Sequence, residues 1–263
     1  MKKILLGATA LCGVALADAP AMPTVTDVEG RYANNVNIEA SDRLKQSIDV
    51  GFANTTGNTK TTNLNAKYGA SYTTLGWGNQ ALKWAFDASM FLTRDNDTTT
   101  NEEYVAMLGA EQNIANGWYG YGAINWLKNS FRNYDNKWSF SAGVGKVIFD
   151  DGKHSLSAKL GGAYNIEDYS NAQADEKFAS LNQYLEYNNK LNASSNLYVK
   201  LGAMQNLENF SKDYEVMGVA GVDVALSEAL YLKVEQEVSY DALPPAGFDK
   251  TDTKTIVSLG YKF

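Results

Sequence analysis

From Leu44 to the end of the chain, apolar residues return at every second position in one segment after another. The last segment is the plainest: Val257, Leu259, Tyr261 and Phe263 alternate with Ser258, Gly260 and Lys262. A strand turns alternate side chains to opposite faces, so such a segment has one greasy side and one wet side. A two-faced strand that stops on an aromatic residue at the chain end is the closing strand expected of a bacterial outer-membrane barrel. Val257, Leu259, Tyr261 and Phe263 are read as its assembly signal.

The same alternation marks eleven earlier strands. Their apolar faces carry Ile48, Val50 and Phe52; Leu64 to Tyr72; Leu82 to Leu92; and Tyr104 to Ala110. The series continues with Trp138 to Ile148, Leu156 to Ile166, Leu181 to Tyr187, Leu197 to Ala203, Val216 to Val224 and Leu232 to Tyr240. The segment Trp118 to Asn129 is apolar on both sides, and its register stays open. Lys146 interrupts the apolar face of its strand. Twelve strands, an even number, return both termini to the same side, and the fold class expected is all-β: a transmembrane antiparallel up-and-down barrel. Ala115–Gly117, Asp150–Lys153 and Ser227–Ala229 read as short inner turns. Asp95–Glu102, Ser130–Asn136, Glu167–Glu176 and Asp241–Asp252 read as longer outer loops. The inner stretch Thr74–Ala81 is longer than that scheme asks for.

The N-terminus fits an exported chain. Lys2 and Lys3 precede an apolar run from Ile4 to Leu16 and the small-x-small site Ala15-Leu-Ala17, which reads as a signal peptide for the Sec pathway cut after Ala17 or Ala19. The run is too short to span roughly 30 Å of hydrocarbon as a helix. Residues 20–43, with Pro20 and Pro23, read as a periplasmic leader and residues 44–263 as the barrel. Cys12 is the only cysteine, so the processed chain has neither disulfides nor thiolate metal sites. Removing Lys2, Lys3 and Asp18 leaves a chain one unit more acidic than its net −7, which argues against nucleic acid as a partner. The expected partners are outer-membrane lipid, lipopolysaccharide and the barrel-assembly machinery. Sixteen Tyr and five Trp suit a molecule with two membrane interfaces, where a ring is buried and its polar tip stays wet.

The stretch Gly51-Phe-Ala-Asn-Thr-Thr-Gly-Asn-Thr-Lys-Thr-Thr-Asn-Leu-Asn-Ala-Lys67 resembles the opening hairpin of the domain of unknown function 481 family, often labelled salt-induced outer membrane proteins. Gly143-Val-Gly145 and the strand from Leu156 to Tyr164 are similar to that family's middle section. The resemblance implies an outer-membrane barrel from about Leu44 to Phe263. It carries no substrate, cofactor or catalytic residue.

With the apolar face toward lipid, the other face holds Asp49, Lys67, Lys83, Asp87, Glu111, Lys159, Glu186, Lys200, Asp223, Lys233, Glu235 and Glu237. Facing lipid, such charges would cost roughly 2–4 kcal/mol each near the midplane. Inside, they make either a narrow pore for small polar solutes or ions, or a salt-bridged filling of a non-conducting structural or stress-related protein. Other chemistry is thin. The acid-rich loops at Asp95–Glu102 and at Glu167–Glu176 lack calcium-hand spacing and read as solvated. His154 lies near Ser155 and Ser157, but neighbouring strand residues face opposite ways, which breaks a hydrolytic pair. Glu235 and Glu237 lack a sugar-sized cleft between them. Trp118 with Tyr119 and Tyr121 is a weaker candidate for stacking sugars. The reading is therefore of a non-enzyme with no catalytic residue, metal or cofactor. The sequence Leu-x-Ala/Val-Lys-x-Gly recurs at Leu64, Leu156 and Leu197, through hairpin duplication or through the repeated demands of a strand.

Overall fold

A computed structural model describes residues 44–55, 61–95, 98–129, 134–170, 174–244 and 250–263. The expected signal peptide and leader, residues 1–43, lie outside the described residues. Twelve strands follow one another: β1 Lys45–Thr55, β2 Thr61–Leu75, β3 Ala81–Asp95, β4 Thr98–Ala115, β5 Trp118–Asn129 and β6 Tyr134–Asp150. Then come β7 His154–Tyr169, β8 Glu176–Lys190, β9 Ser195–Asn206, β10 Tyr214–Ala225, β11 Leu230–Asp241 and β12 Thr251–Lys262. Each pairs antiparallel with its sequence neighbours, and β1 pairs with β12, closing a single barrel. The all-β, twelve-stranded, up-and-down expectation holds.

Local chemistry explains the turns. At the β4–β5 turn Asn116 and Gly117 both have positive φ (52° and 78°), the Asn-Gly pairing that a twisted two-residue hairpin requires. After β6, the Asp150 carboxylate accepts the Gly152 N–H, and Asp151 accepts those of Lys153 and His154. The long inner stretch after β2 is a single 3-10 turn, Trp77–Asn79. Gln112 on β4 clamps it, accepting the Trp77 N–H at 3.0 Å while its amide reaches the Ala81 carbonyl. That clamp holds Trp77 out of the barrel, 85% exposed, at the rim.

The polarity is inverted relative to a water-soluble barrel. Val50, Leu108, Phe140, Leu160, Leu201, Val234 and Leu259 stand exposed on the outer wall, while most of the buried charge lies inside. This satisfies a bilayer, because closure leaves no strand edge facing hydrocarbon and the outer wall matches its polarity. Trp118, Ile124 and Trp126 of β5 face out, and Tyr119, Tyr121, Asn125 and Leu127 face in, which resolves the open register. Lys146 belongs to the outer wall after all. Its ammonium lies 4.8 Å from the centre of the Trp118 ring on the neighbouring strand, a snorkelled position near the inner rim.

Two outer loops are shorter than expected. Strand β3 runs to Asp95 and β4 starts at Thr98, so Asp95–Glu102 is mostly ladder. Glu167 is likewise in β7, paired with Lys137 of β6. Polar strand ends that project beyond the bilayer have the composition of loops, which is why alternation failed to reveal them. The β1–β12 junction differs from all others. Its register runs only from Ser47↔Lys262 to Val50↔Leu259, whereas β1 pairs with β2 along its whole length.

Candidate functional site

The alternation of each strand turns all twelve charges of the sequence-derived ladder into the lumen. Asp49, Lys67, Lys83, Asp87, Glu186, Lys200, Glu235 and Glu237 are buried. Glu111, Lys159, Asp223 and Lys233 share the inward phase of their strands and are partly covered. These residues form a tier nearer the inner turns. Lys159 donates to Glu111 at 2.6 Å, from β7 to β4 with two strands between them. Lys67 on β2 donates to Glu235 on β11 at 2.6 Å and lies 3.9 Å from Glu237. Lys233 reaches Asp49 at 3.1 Å, and Lys200 lies 4.0 Å from Glu186.

Tyrosines build the floor of this tier. Tyr119, Tyr198 and Tyr231 point inward, each directly opposite a glycine on the next strand: Gly145, Gly221 and Gly260. A β-carbon at any of these glycines would collide with the ring beside it. The rings lie over their glycines, a cross-strand pairing that shields bare backbone. Lysines cover them in turn: Lys159 is 5.9 Å from the Tyr119 ring, Lys200 5.5 Å from Tyr198 and Lys233 5.5 Å from Tyr231. The Tyr198 hydroxyl donates to Glu235 at 2.8 Å. The recurring Leu-x-Ala/Val-Lys-x-Gly pattern therefore places Lys67, Lys159 and Lys200 inside, each followed by an inward glycine.

A second tier, near the outer loops, was missed by sequence reasoning. It comprises Glu103, Lys137, Glu167, Glu215 and Asp241, all buried. Lys137 on β6 is its hub. It lies 2.6 Å from Glu167 on β7 and 3.3 Å from Glu215 on β10, reaching past three intervening strands. The Tyr169 hydroxyl donates to Glu167 at 2.6 Å, and the Asn129 amide donates to Glu103 at 3.4 Å. Between the tiers lies a largely apolar layer with buried Val105, Met107, Leu127, Met204, Met217, Val219 and Ile256. On β5 to β8 the wall is neutral and polar. Asn165 donates to Ser180, Ser180 to Asn182, and Asn182 to Tyr184. Asn125, 3% exposed, has no hydrogen-bond partner for either amide atom.

The remaining candidates fall apart. His154 faces the outer side of β7, its Nδ1 2.8 Å from the Tyr187 hydroxyl, while Ser157 is buried in the lumen. Trp118 stands on the outer wall and Tyr119 and Tyr121 on the inner one, so they form no common stacking platform. Glu235 and Glu237 are both taken up by Lys67. Val257, Leu259, Tyr261 and Phe263 line the outer wall, with the Tyr261 and Phe263 rings edge to face at 5.2 Å.

Residues 48–263 match the family described as "Protein of unknown function, DUF481". The chain belongs to this family. The DUF481 chain is also similar to the protein YdiY of Escherichia coli (strain K12), 26% identical over 233 residues that make up 84% of each chain. Among solved structures, an outer membrane channel from Pseudomonas putida F1 aligns with 83% of this chain and 94% of its own, at 10% identity and a TM-score of 0.51. The translocator domain of the autotransporter NalP from Neisseria meningitidis covers 90% of this chain and 95% of its own, at 13% identity and a TM-score of 0.48.

Proposed function

We propose that this DUF481 chain is a bacterial outer-membrane barrel whose lumen is a narrow, gated path for small polar solutes or ions. The observation that carries this is the inward face itself. Both signs of charge and a run of amides and hydroxyls line it, and buried polar atoms such as those of Asn125 stay unmatched. In a permanently dry filling each unmatched group costs about 1–3 kcal/mol, a cost that water in the lumen removes. The bridges Lys137–Glu215 and Lys67–Glu235 cross the path and make the resting state a closed one. Export through the Sec pathway, insertion by the barrel-assembly machinery and contact with lipopolysaccharide belong to the same reading.

Planar-bilayer recording of the refolded protein tests it. Small, intermittent conductance is expected from the native chain, and longer openings from Glu215→Gln, which weakens the longest cross-lumen bridge. Silence from both, at every voltage and salt, sinks the pore. One observation favours the alternative, a non-conducting envelope scaffold: Tyr119 is wholly buried under Lys159, as in a packed interior. That reading expects silence from both proteins and a stability that depends on the lumen charges.

A further inference from the structure

We propose that the carboxylate of Asp87, with the notch beside it, is a binding site for a primary ammonium group, brought by ammonium ion or by a small amine. The inference rests on the reading of the lumen as a path and names the solute chemistry that its inner tier takes up. Charge supplies the first support. Five lysines face seven carboxylates in this tier. Lys67 is seated on Glu235, Lys159 on Glu111, Lys233 on Asp49 and, more loosely, Lys200 on Glu186. Asp87 is different. It is 2% exposed, its Oδ2 has no hydrogen-bond partner, and no ion pair holds it among the described residues. Lys200, Lys83 and Lys233 act on it only through space. Lys200 and Lys233 are engaged by their own acids, and Lys83 stands directly opposite Glu111 in the β3–β4 ladder. Asp87 is thus a buried acid to which the chain brings no lysine, and burying a charge without a partner is costly. A solute with its own ammonium group supplies what lysines supply elsewhere in the tier.

The second support is geometric. Ser47, Gly69 and Asp87 form one row across β1, β2 and β3, all in the inward phase. Gly69 leaves a notch between two oxygens. The point that its β-carbon would occupy lies 3.1 Å from Asp87 Oδ1 and 3.4 Å from Ser47 Oγ. No other described atom beyond Tyr68–Ala70 comes within 4 Å of that point. An N–H donor stands about 2.7–3.2 Å from its oxygen, so the spacing suits an ammonium nitrogen. Two of its donors meet Asp87 and Ser47, and the third is left for lumen water. Calcium and magnesium require contacts of about 2.0–2.6 Å and six or more oxygens.

The third support is the approach. In the next inward row toward the inner turns stand Ser71, Ala85 and Gly109, with Ser89 on the other side of Asp87. All four are half-buried, whereas Tyr184, Glu186, Tyr198 and Lys200 on the facing wall of β8 and β9 are buried. Small side chains leave a way along β2–β4 from the inner mouth to the carboxylate.

The test uses the refolded full chain in detergent micelles, with heat-modifiable migration as proof that each barrel is folded. Methylammonium is the probe, and saturation-transfer NMR reads its methyl signal. A saturable signal is expected from the native chain. Asp87→Asn, which keeps the shape and removes the charge, should weaken binding roughly tenfold or more. Gly69→Ala, which fills the notch and keeps every charge, should weaken it severalfold. Ammonium ion should compete with the probe, whereas equal concentrations of potassium or tetramethylammonium, which have no N–H, should not. A signal that either folded variant leaves unchanged overturns the site, and so does potassium or tetramethylammonium competing as well as ammonium. The competition series needs no variant, so it decides the matter even where Asp87→Asn fails to fold. Bilayer recording separates the site from the path. A native barrel that is silent yet binds methylammonium sinks the path and keeps the site, whereas a conducting barrel without the transfer signal sinks the site alone.

Discussion

The two charged tiers of the lumen solve the same problem in different ways. The inner tier mixes five lysines among seven carboxylates, and most of its lysines also rest on tyrosine rings. No single pair holds it. The outer tier holds four buried carboxylates, and two of them on different strands, Glu167 and Glu215, meet at Lys137. Burial makes isolated charge expensive, so the value of each lysine depends on how many others can replace it. The inner tier is redundant and the outer one is a hub.

Removing the hub should therefore have the largest effect. Lys137→Met leaves Glu167 and Glu215 facing one another in a buried space, and breaking such a pair costs about 3–5 kcal/mol. Lys200→Met in the inner tier removes a contact of 4.0 Å whose acid has other cations nearby, so the loss should be much smaller. Urea titration of the two refolded variants in the same vesicles makes the comparison. Equal losses would mean that the tiers do not differ in the way their geometry implies.

How much of this was legible follows the same division. The inner tier was readable because its charges lie within the apolar belt, where Leu64, Ala66 and Tyr68 alternate cleanly with Asn65 and Lys67. The outer tier was not, because alternation fades where strands leave the bilayer. Asn136 and Asp168 face outward beside Lys137 and Glu167, so both faces are polar and the stretch reads as loop. The fifth strand stayed ambiguous because aromatic residues occupy both of its faces, Trp118 outside and Tyr119 inside, and ring chemistry alone does not choose between lipid and lumen. The tyrosine–glycine pairs were available only as an inward phase on one strand and a glycine on the next, and matching them requires the register. Cross-lumen partners such as Lys137 and Glu215 depend on the barrel's girth, which no local pattern encodes. The short β1–β12 ladder is likewise a property of closure.

The glycine floor offers the next break in the comparison. Gly145→Val drives a branched side chain into the Tyr119 ring of the redundant tier, and overpacking of this kind costs about 1–3 kcal/mol. Gly218 lies on the outer wall with only ordinary contact to Leu201, so Gly218→Val should be neutral or slightly stabilising there. The two variants are compared by urea midpoint and by the temperature at which heat modifiability is lost. If Gly145→Val proves as harmless as Gly218→Val, the tyrosine rings are free to move and the inner floor is not packed.

The smallest effects should come from single hydroxyls, and they sharpen the contrast most. Tyr169→Phe removes a 2.6 Å hydrogen bond to Glu167, the carboxylate that Lys137 also holds. Tyr198→Phe removes a 2.8 Å bond to one oxygen of Glu235, whose other oxygen keeps Lys67. A hydrogen bond to a charged group contributes about 1.5–3 kcal/mol, and the outer variant should fall in that range. The inner variant should fall below it, because Lys67 and Lys233 offset the loss. In a double-mutant cycle with Lys137→Met, Tyr169→Phe should couple strongly, since both side chains hold the same carboxylate. Additive losses would show that Glu167 is stabilised by other contacts, and the hub description of the outer tier would fail.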